Sequence, residues 1–91
     1  MVEAMTTVKV EMYSTRFCPY CVRARRLLKE KGVEYTEYRV DQDVELRHEM
    51  EQRSQRTSVP QIFIEDRHIG GYDDMAQLDM SQELDLLLGL E

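Results

Sequence analysis

The stretch S-T-R-F-C-P-Y-C-V-R-A-R-R, residues 14–26, restricts the fold more than any other, because both cysteines stand in it where one hydrophobic period gives way to another. Before it, Val8, Val10 and Met12 alternate with Lys9, Glu11 and Tyr13, the two-residue period of a strand over 8–13. After it, Cys21, Ala24, Leu27 and Leu28 recur at three- and four-residue spacing, which predicts an amphipathic helix from Pro19 to about Lys31, stopped by Gly32. Positions 35–40 are rich in β-branched and aromatic residues and read as a second strand. Asp41 or Asp43 can then cap a helix running to about Arg53. A strand, helix and strand in this order make a right-handed crossover with the two strands parallel.

The second half continues with an apolar run, Ile62, Phe63 and Ile64, entering a hairpin at Asp66-Arg67 and returning over His68 and Ile69 to Gly70 and Gly71. Asp73 and Asp74 begin a helix with acids in its first turn, and positions 81–88 form a last one with Leu84, Leu87 and Leu88 on its apolar side. The expected order is β-α-β-α-β-β-α-α, an α/β chain with a mixed sheet flanked by helices. A length of 91 residues suits one small domain over 8–91, with 1–7 a disordered extension.

Composition narrows the function. No apolar run is long enough to span a bilayer, and the start lacks the charged and apolar regions of a secretory signal, so a cytoplasmic protein without a membrane partner is expected. A net charge of −6 argues against nucleic-acid binding. The charge is uneven, however: six of the 12 basic residues, Arg16, Arg23, Arg25, Arg26, Lys29 and Lys31, fall between positions 16 and 31. Most of these read as a solvated helix face.

C-x-x-C at a strand end and helix start places Cys18 at the N-cap, where unpaired backbone N–H groups and the helix dipole favour an anion. Arg16 can add to that effect. Pro19 suits the first helical turn, since its missing N–H is one the helix leaves unpaired. Cys21, a turn further in, should be more buried. That asymmetry makes Cys18 the attacking and Cys21 the resolving thiol. A structural zinc site would need four ligands, and neither a second C-x-x-C nor closely spaced histidines supply them, so no metal is expected. Two inert core cysteines would leave the intervening proline and flanking arginines without a reason.

With C-P-Y-C at Cys18–Cys21, T-S-V-P-Q-I-F-I at Thr57–Ile64 and G-G-Y-D-D at Gly70–Asp74, the sequence resembles the glutaredoxin family, specifically its small bacterial dithiol members. The resemblance implies a thioredoxin fold with a four-stranded sheet, no tightly bound cofactor, and glutathione as co-substrate, regenerated by an NADPH-dependent reductase. It further implies a cis bond between Val59 and Pro60 that exposes the Val59 backbone to glutathione's peptide groups. Asp73 and Asp74 would meet the γ-glutamyl ammonium, and Arg53 and Arg56 the glycine carboxylate; Tyr20, Arg16, Ser58, Gly71 and Tyr72 would complete the glutathione site. Its partners would be glutathione and disulfide-containing or glutathionylated proteins, met by a monomer.

The chain departs from that family's pattern at three places. Thr15 stands where many relatives have Lys, with Arg16 one place later; Tyr72 replaces a small residue; and Gln55 stands where a Gly often ends the second helix, so a different helix stop is expected there. Rival readings are a redoxin served directly by a thioredoxin-type reductase, a carrier of a glutathione-ligated iron-sulfur cluster, which Pro19 disfavours, and a pure interaction module.

Overall fold

The computed structural model describes residues 8–90, so the extension expected at 1–7 lies outside the described residues. The elements follow the expected order: β1 (Val10–Ser14), α1 (Pro19–Glu30), β2 (Thr36–Arg39), α2 (Val44–Ser54), β3 (Gln61–Ile64), β4 (Arg67–Gly70), α3 (Tyr72–Met80) and α4 (Glu83–Leu87). They build one mixed sheet in the order β2-β1-β3-β4. β1 lies parallel to β2, with Glu11 opposite Thr36 and Ser14 opposite Arg39. It lies antiparallel to β3, with Val10 opposite Ile64 and Tyr13 opposite Gln61.

The alternation along β1 serves two cores rather than one core and solvent, since all five of its residues are buried. Val10 and Met12 face Ala24 and Leu28 of α1, Met75 of α3, and Leu84 and Leu88 at the C-terminal end. Tyr13 points the other way, into a smaller cluster with Val40, Met50 of α2 and Phe63. Helices α1, α3 and α4 therefore cover one face and α2 the other. Glu11 on the second face is buried to 6% exposure and satisfied by Arg53 and the Tyr38 hydroxyl.

Helix ends follow local chemistry. Gly32, at φ +73°, closes α1 with paired bonds from its own N–H to the Lys29 carbonyl and from Val33 N–H to the Leu28 carbonyl, and Val33 packs in the same cluster as Leu28. Asp43 rather than Asp41 caps α2, accepting from Glu45 N–H at 2.9 Å. The different stop expected at the end of α2 is not found: Gln55 takes the left-handed conformation itself, at φ 59° and ψ 28°. Its side chain offsets part of that cost by donating to the Gln52 carbonyl at 2.9 Å. The hairpin turn falls one residue earlier than expected, on Glu65 and Asp66, both at positive φ. Glu65 is held there by Lys9 N–H at 2.6 Å. Helix α3 starts at Tyr72, with Gly71 as its N-cap. Among the described residues, no helix is long and apolar enough to cross a membrane.

Candidate active site

Cys18 stands between the end of β1 and the first turn of α1, as the N-cap in extended conformation. Its sulfur accepts from Cys21 N–H at 3.3 Å, and the Val59 carbonyl lies 3.8 Å away. The helix start thus directs a donor at this sulfur. Cys18 is half-buried, whereas Cys21 has no exposed surface. Burial pushes the Cys21 thiol well above its ordinary value, the neighbouring Cys18 sulfur adds to this, and the Thr15 backbone and Arg25 oppose it. Geometry therefore separates the two thiols into one with exposed surface and one enclosed behind it.

Around Cys18 the surface is aromatic and basic. Phe17 is 88% exposed with the Arg16 guanidinium 5.2 Å from its ring centre, and Arg23 stands 5.4 Å from that of Tyr20.

Beside the thiols opens a cleft of about 320 Å³ lined by Tyr20, Arg56, Ser58, Val59, Pro60, Gly71, Tyr72, Asp73 and Asp74. The Val59–Pro60 peptide is cis. Asp74 accepts from Gly71 N–H at 3.0 Å and pairs with Arg56 at 3.2 Å, so it caps α3 and sets the Arg56 guanidinium at once. The N–H of Gly71 and the charge of Arg56 hold the Asp74 carboxyl below its usual range. Gly70, at φ +118°, permits this approach, because a Cβ there would come within 2.3 Å of Asp74 Oδ2.

Two of the expected cleft residues stand elsewhere. Arg53 lies in the last turn of α2 and turns to the sheet, its guanidinium 4.0 Å from the Phe63 ring centre, 2.9 Å from the Tyr13 hydroxyl and 3.2 Å from Glu11. Only Arg56, past the left-handed Gln55, reaches the cleft. Arg16 lines a separate depression of about 330 Å³ with Arg25, Glu37 and Arg39. Sequence reasoning missed Glu37, Arg39 and Asp41 near the thiols, because their approach depends on the β1–β2 register rather than on chain proximity. The helical spacing from Cys21 to Arg25 was the one available signal. Among the described residues, no three His, Cys, Asp or Glu side chains converge as metal ligands.

The Glutaredoxin family's sequence profile matches residues 10–69. Glutaredoxin 3 of Escherichia coli (strain K12) is 52% identical over 79 residues, covering 87% of this chain and 95% of the relative. The solution structure of glutaredoxin from Brucella melitensis superposes with a TM-score of 0.81 at 43% identity, covering 97% of this chain and 96% of that one. A buckwheat glutaredoxin–glutathione complex superposes with a TM-score of 0.83 at 25% identity, over 92% of this chain and 79% of the other. With the profile spanning most of the fold and the relatives matched nearly end to end, the chain belongs to the glutaredoxin family of glutathione-dependent thiol-disulfide oxidoreductases.

Proposed function

We propose that Cys18 is the nucleophile, Cys21 the resolving thiol and the 320 Å³ cleft the glutathione site of this oxidoreductase. The observation that carries this reading is the place of the Cys18 sulfur: it sits at a helix start, it accepts from Cys21 N–H, and it lies 3.8 Å from the carbonyl of a cleft residue, Val59. On a glutathionylated protein, the Cys18 thiolate attacks the glutathionyl sulfur and the protein thiolate leaves. A second glutathione thiolate then attacks the Cys18-bound glutathionyl sulfur, giving glutathione disulfide and free Cys18. On a protein disulfide, Cys18 forms a mixed disulfide with one partner sulfur, and Cys21 displaces it.

In the cleft, Arg56 takes the glycine carboxylate, the Val59 backbone pairs with the peptide groups, Asp73 and Asp74 take the ammonium, and Tyr20 and Tyr72 flank the tripeptide. The cleft lining supports this assignment, since it offers a cation at Arg56 and carboxylates at Asp73 and Asp74 to a ligand that carries both carboxylates and an ammonium. Ser58, Pro60 and Gly71 shape the wall. We place the protein in the cytoplasm, where a close thiol pair is kept reduced, acting as a monomer on disulfide-containing or glutathionylated proteins, without nucleic-acid or membrane partners.

The test is a glutathione-coupled assay on a glutathionylated peptide. Cys18→Ser should be inactive and Cys21→Ser should retain activity; equal loss in both would refute the assigned roles.

A further inference from the structure

Arg25, four residues after Cys21 on α1, is engaged at two of its nitrogens. Nε donates to Glu37 Oε2 at 2.7 Å and Nη2 to the Thr15 carbonyl at 3.1 Å. Both partners of the ion pair are about three-quarters buried, and Glu37 accepts a second bond from the Ser14 hydroxyl. Alongside, Arg39 of β2 grips Asp41 through two bonds of 2.9 and 2.7 Å, and Asp41 accepts from Arg16 N–H at 3.2 Å. The segment between β1 and Cys18 is therefore tied at Ser14, Thr15 and Arg16 by side chains of α1, β2 and the turn after β2. None of the residues lining the depression on this side lines the glutathione cleft.

The charged and polar groups that face the buried Cys21 sulfur are Cys18, Arg25, the Thr15 backbone amide and Arg39, with Glu37 behind Arg25. Arg25 acts on that sulfur twice. Its charge is nearby, and its bond to the Thr15 carbonyl holds in place the residue whose backbone N–H faces Cys21.

We propose that Arg25 is a positioning residue for the resolving half-reaction: it holds the Thr15 segment against Cys21 and sets how readily Cys21 displaces a protein partner, while leaving the exchange between Cys18 and glutathione alone. The proposal rests on the thiol roles assigned above. In that step Cys21 gives its proton to solvent and its sulfur lone pair forms the bond to Cys18 Sγ. The bond between Cys18 and the partner breaks, its electron pair leaves on the partner sulfur, and that thiolate takes up a proton. The partner is reduced by two electrons, Cys18 and Cys21 are oxidised to a disulfide, and two glutathione molecules return them to thiols as glutathione disulfide forms.

The experiment compares full-length wild type, Arg25→Met, Arg25→Lys and the double variant Arg25→Met/Glu37→Gln on two substrates, a glutathionylated peptide and a protein disulfide, across pH. The double variant removes the carboxylate that Arg25→Met alone would leave buried without its partner. Arg25→Met and the double variant should both slow protein-disulfide reduction roughly threefold. A one-unit upward shift of a nucleophilic thiol cuts its thiolate about tenfold, and the greater basicity returns about threefold in nucleophilicity. They should accumulate the Cys18–partner mixed disulfide, and the pH midpoint of resolution should move upward. Turnover of the glutathionylated peptide should stay within about twofold of wild type, and Arg25→Lys should recover part of the lost rate. Equal loss on both substrates, an unchanged pH midpoint, or full recovery in the double variant would overturn the proposal. Failure of wild type on the glutathionylated peptide would instead overturn the functional reading beneath it.

Discussion

Arg53 and Arg56 stand on either side of one helix end, and the left-handed residue between them sends the two guanidiniums to different tasks. Arg53 neutralises Glu11, whose side chain is 8% exposed, and is itself only 25% exposed. Removing one partner of such a pair leaves a desolvated charge, which costs about 3 kcal/mol. Arg56 is 48% exposed and pairs with an equally exposed Asp74, an arrangement worth less than about 1 kcal/mol. The two substitutions should therefore separate cleanly. Arg53→Gln should lower the unfolding free energy by about 3 kcal/mol and leave the KM for glutathione unchanged in the folded protein. Arg56→Gln should leave stability within about 1 kcal/mol of wild type and raise that KM several-fold. Denaturant titration beside steady-state kinetics checks both, and a raised KM in Arg53→Gln would return that residue to the cleft. Chain position could not distinguish them, because both arginines sit at the right distance from the thiols in sequence, and only the helix end shows which way each turns.

At the level of elements, each helix boundary that carries chemistry was readable where the local chemistry was conventional. Cys18-Pro19 at the start of α1, Lys31-Gly32 at its end and Asp43 before α2 all stand where capping rules place them. The boundaries that eluded reading depend on residues in conformations they disfavour: Gln55 after α2, and Glu65 and Asp66 between β3 and β4, all at positive φ. Each is held by contacts from elsewhere in the chain or by its own side chain. Lys9 N–H binds Glu65, Arg53 and Lys9 pair with Asp66, and the Gln55 amide returns to Gln52. Such compensation is invisible to propensity, since the partners of Glu65 and Asp66 lie on other segments. Gln55→Gly should relieve the steric cost and raise the unfolding free energy by about 0.5–1 kcal/mol with catalysis unchanged. Equal or lower stability in urea titration would mean that the Gln52 contact outweighs the backbone cost.

Across the whole molecule, one cation ties together the elements at the end of α1 away from the thiols. Lys31, the C-cap of α1, reaches Asp79 of α3 at 2.6 Å and Asp85 of α4 at 2.8 Å. Those two carboxylates, Asp79 foremost, raise the Lys31 amine from 10.5 to about 12. A raised value in the folded state means the contribution is complete below pH 10.5 and fades as pH climbs through about 12. Wild type should thus be more stable than Lys31→Met by a constant margin at neutral and mildly alkaline pH, and the margin should close as pH rises through about 12. A margin that persisted beyond that point would show that the charge of the Lys31 amine is not the source of the difference. At the acid end the sign reverses. Arg39 depresses the Asp41 carboxyl from 3.8 to about 2, so that contribution holds above pH 3.8 and is lost as pH falls through about 2.

The same helix that presents Cys18 at one end thus carries Lys31 at the other, and its 12 residues set those ends about 18 Å apart. Asp85, which Lys31 holds, also accepts the Leu90 N–H through its backbone carbonyl at 2.9 Å. The chain at Leu90 therefore lies beside the end of α1 remote from Cys18, so a reporter fused downstream of Leu90 should leave both thiols and the cleft accessible.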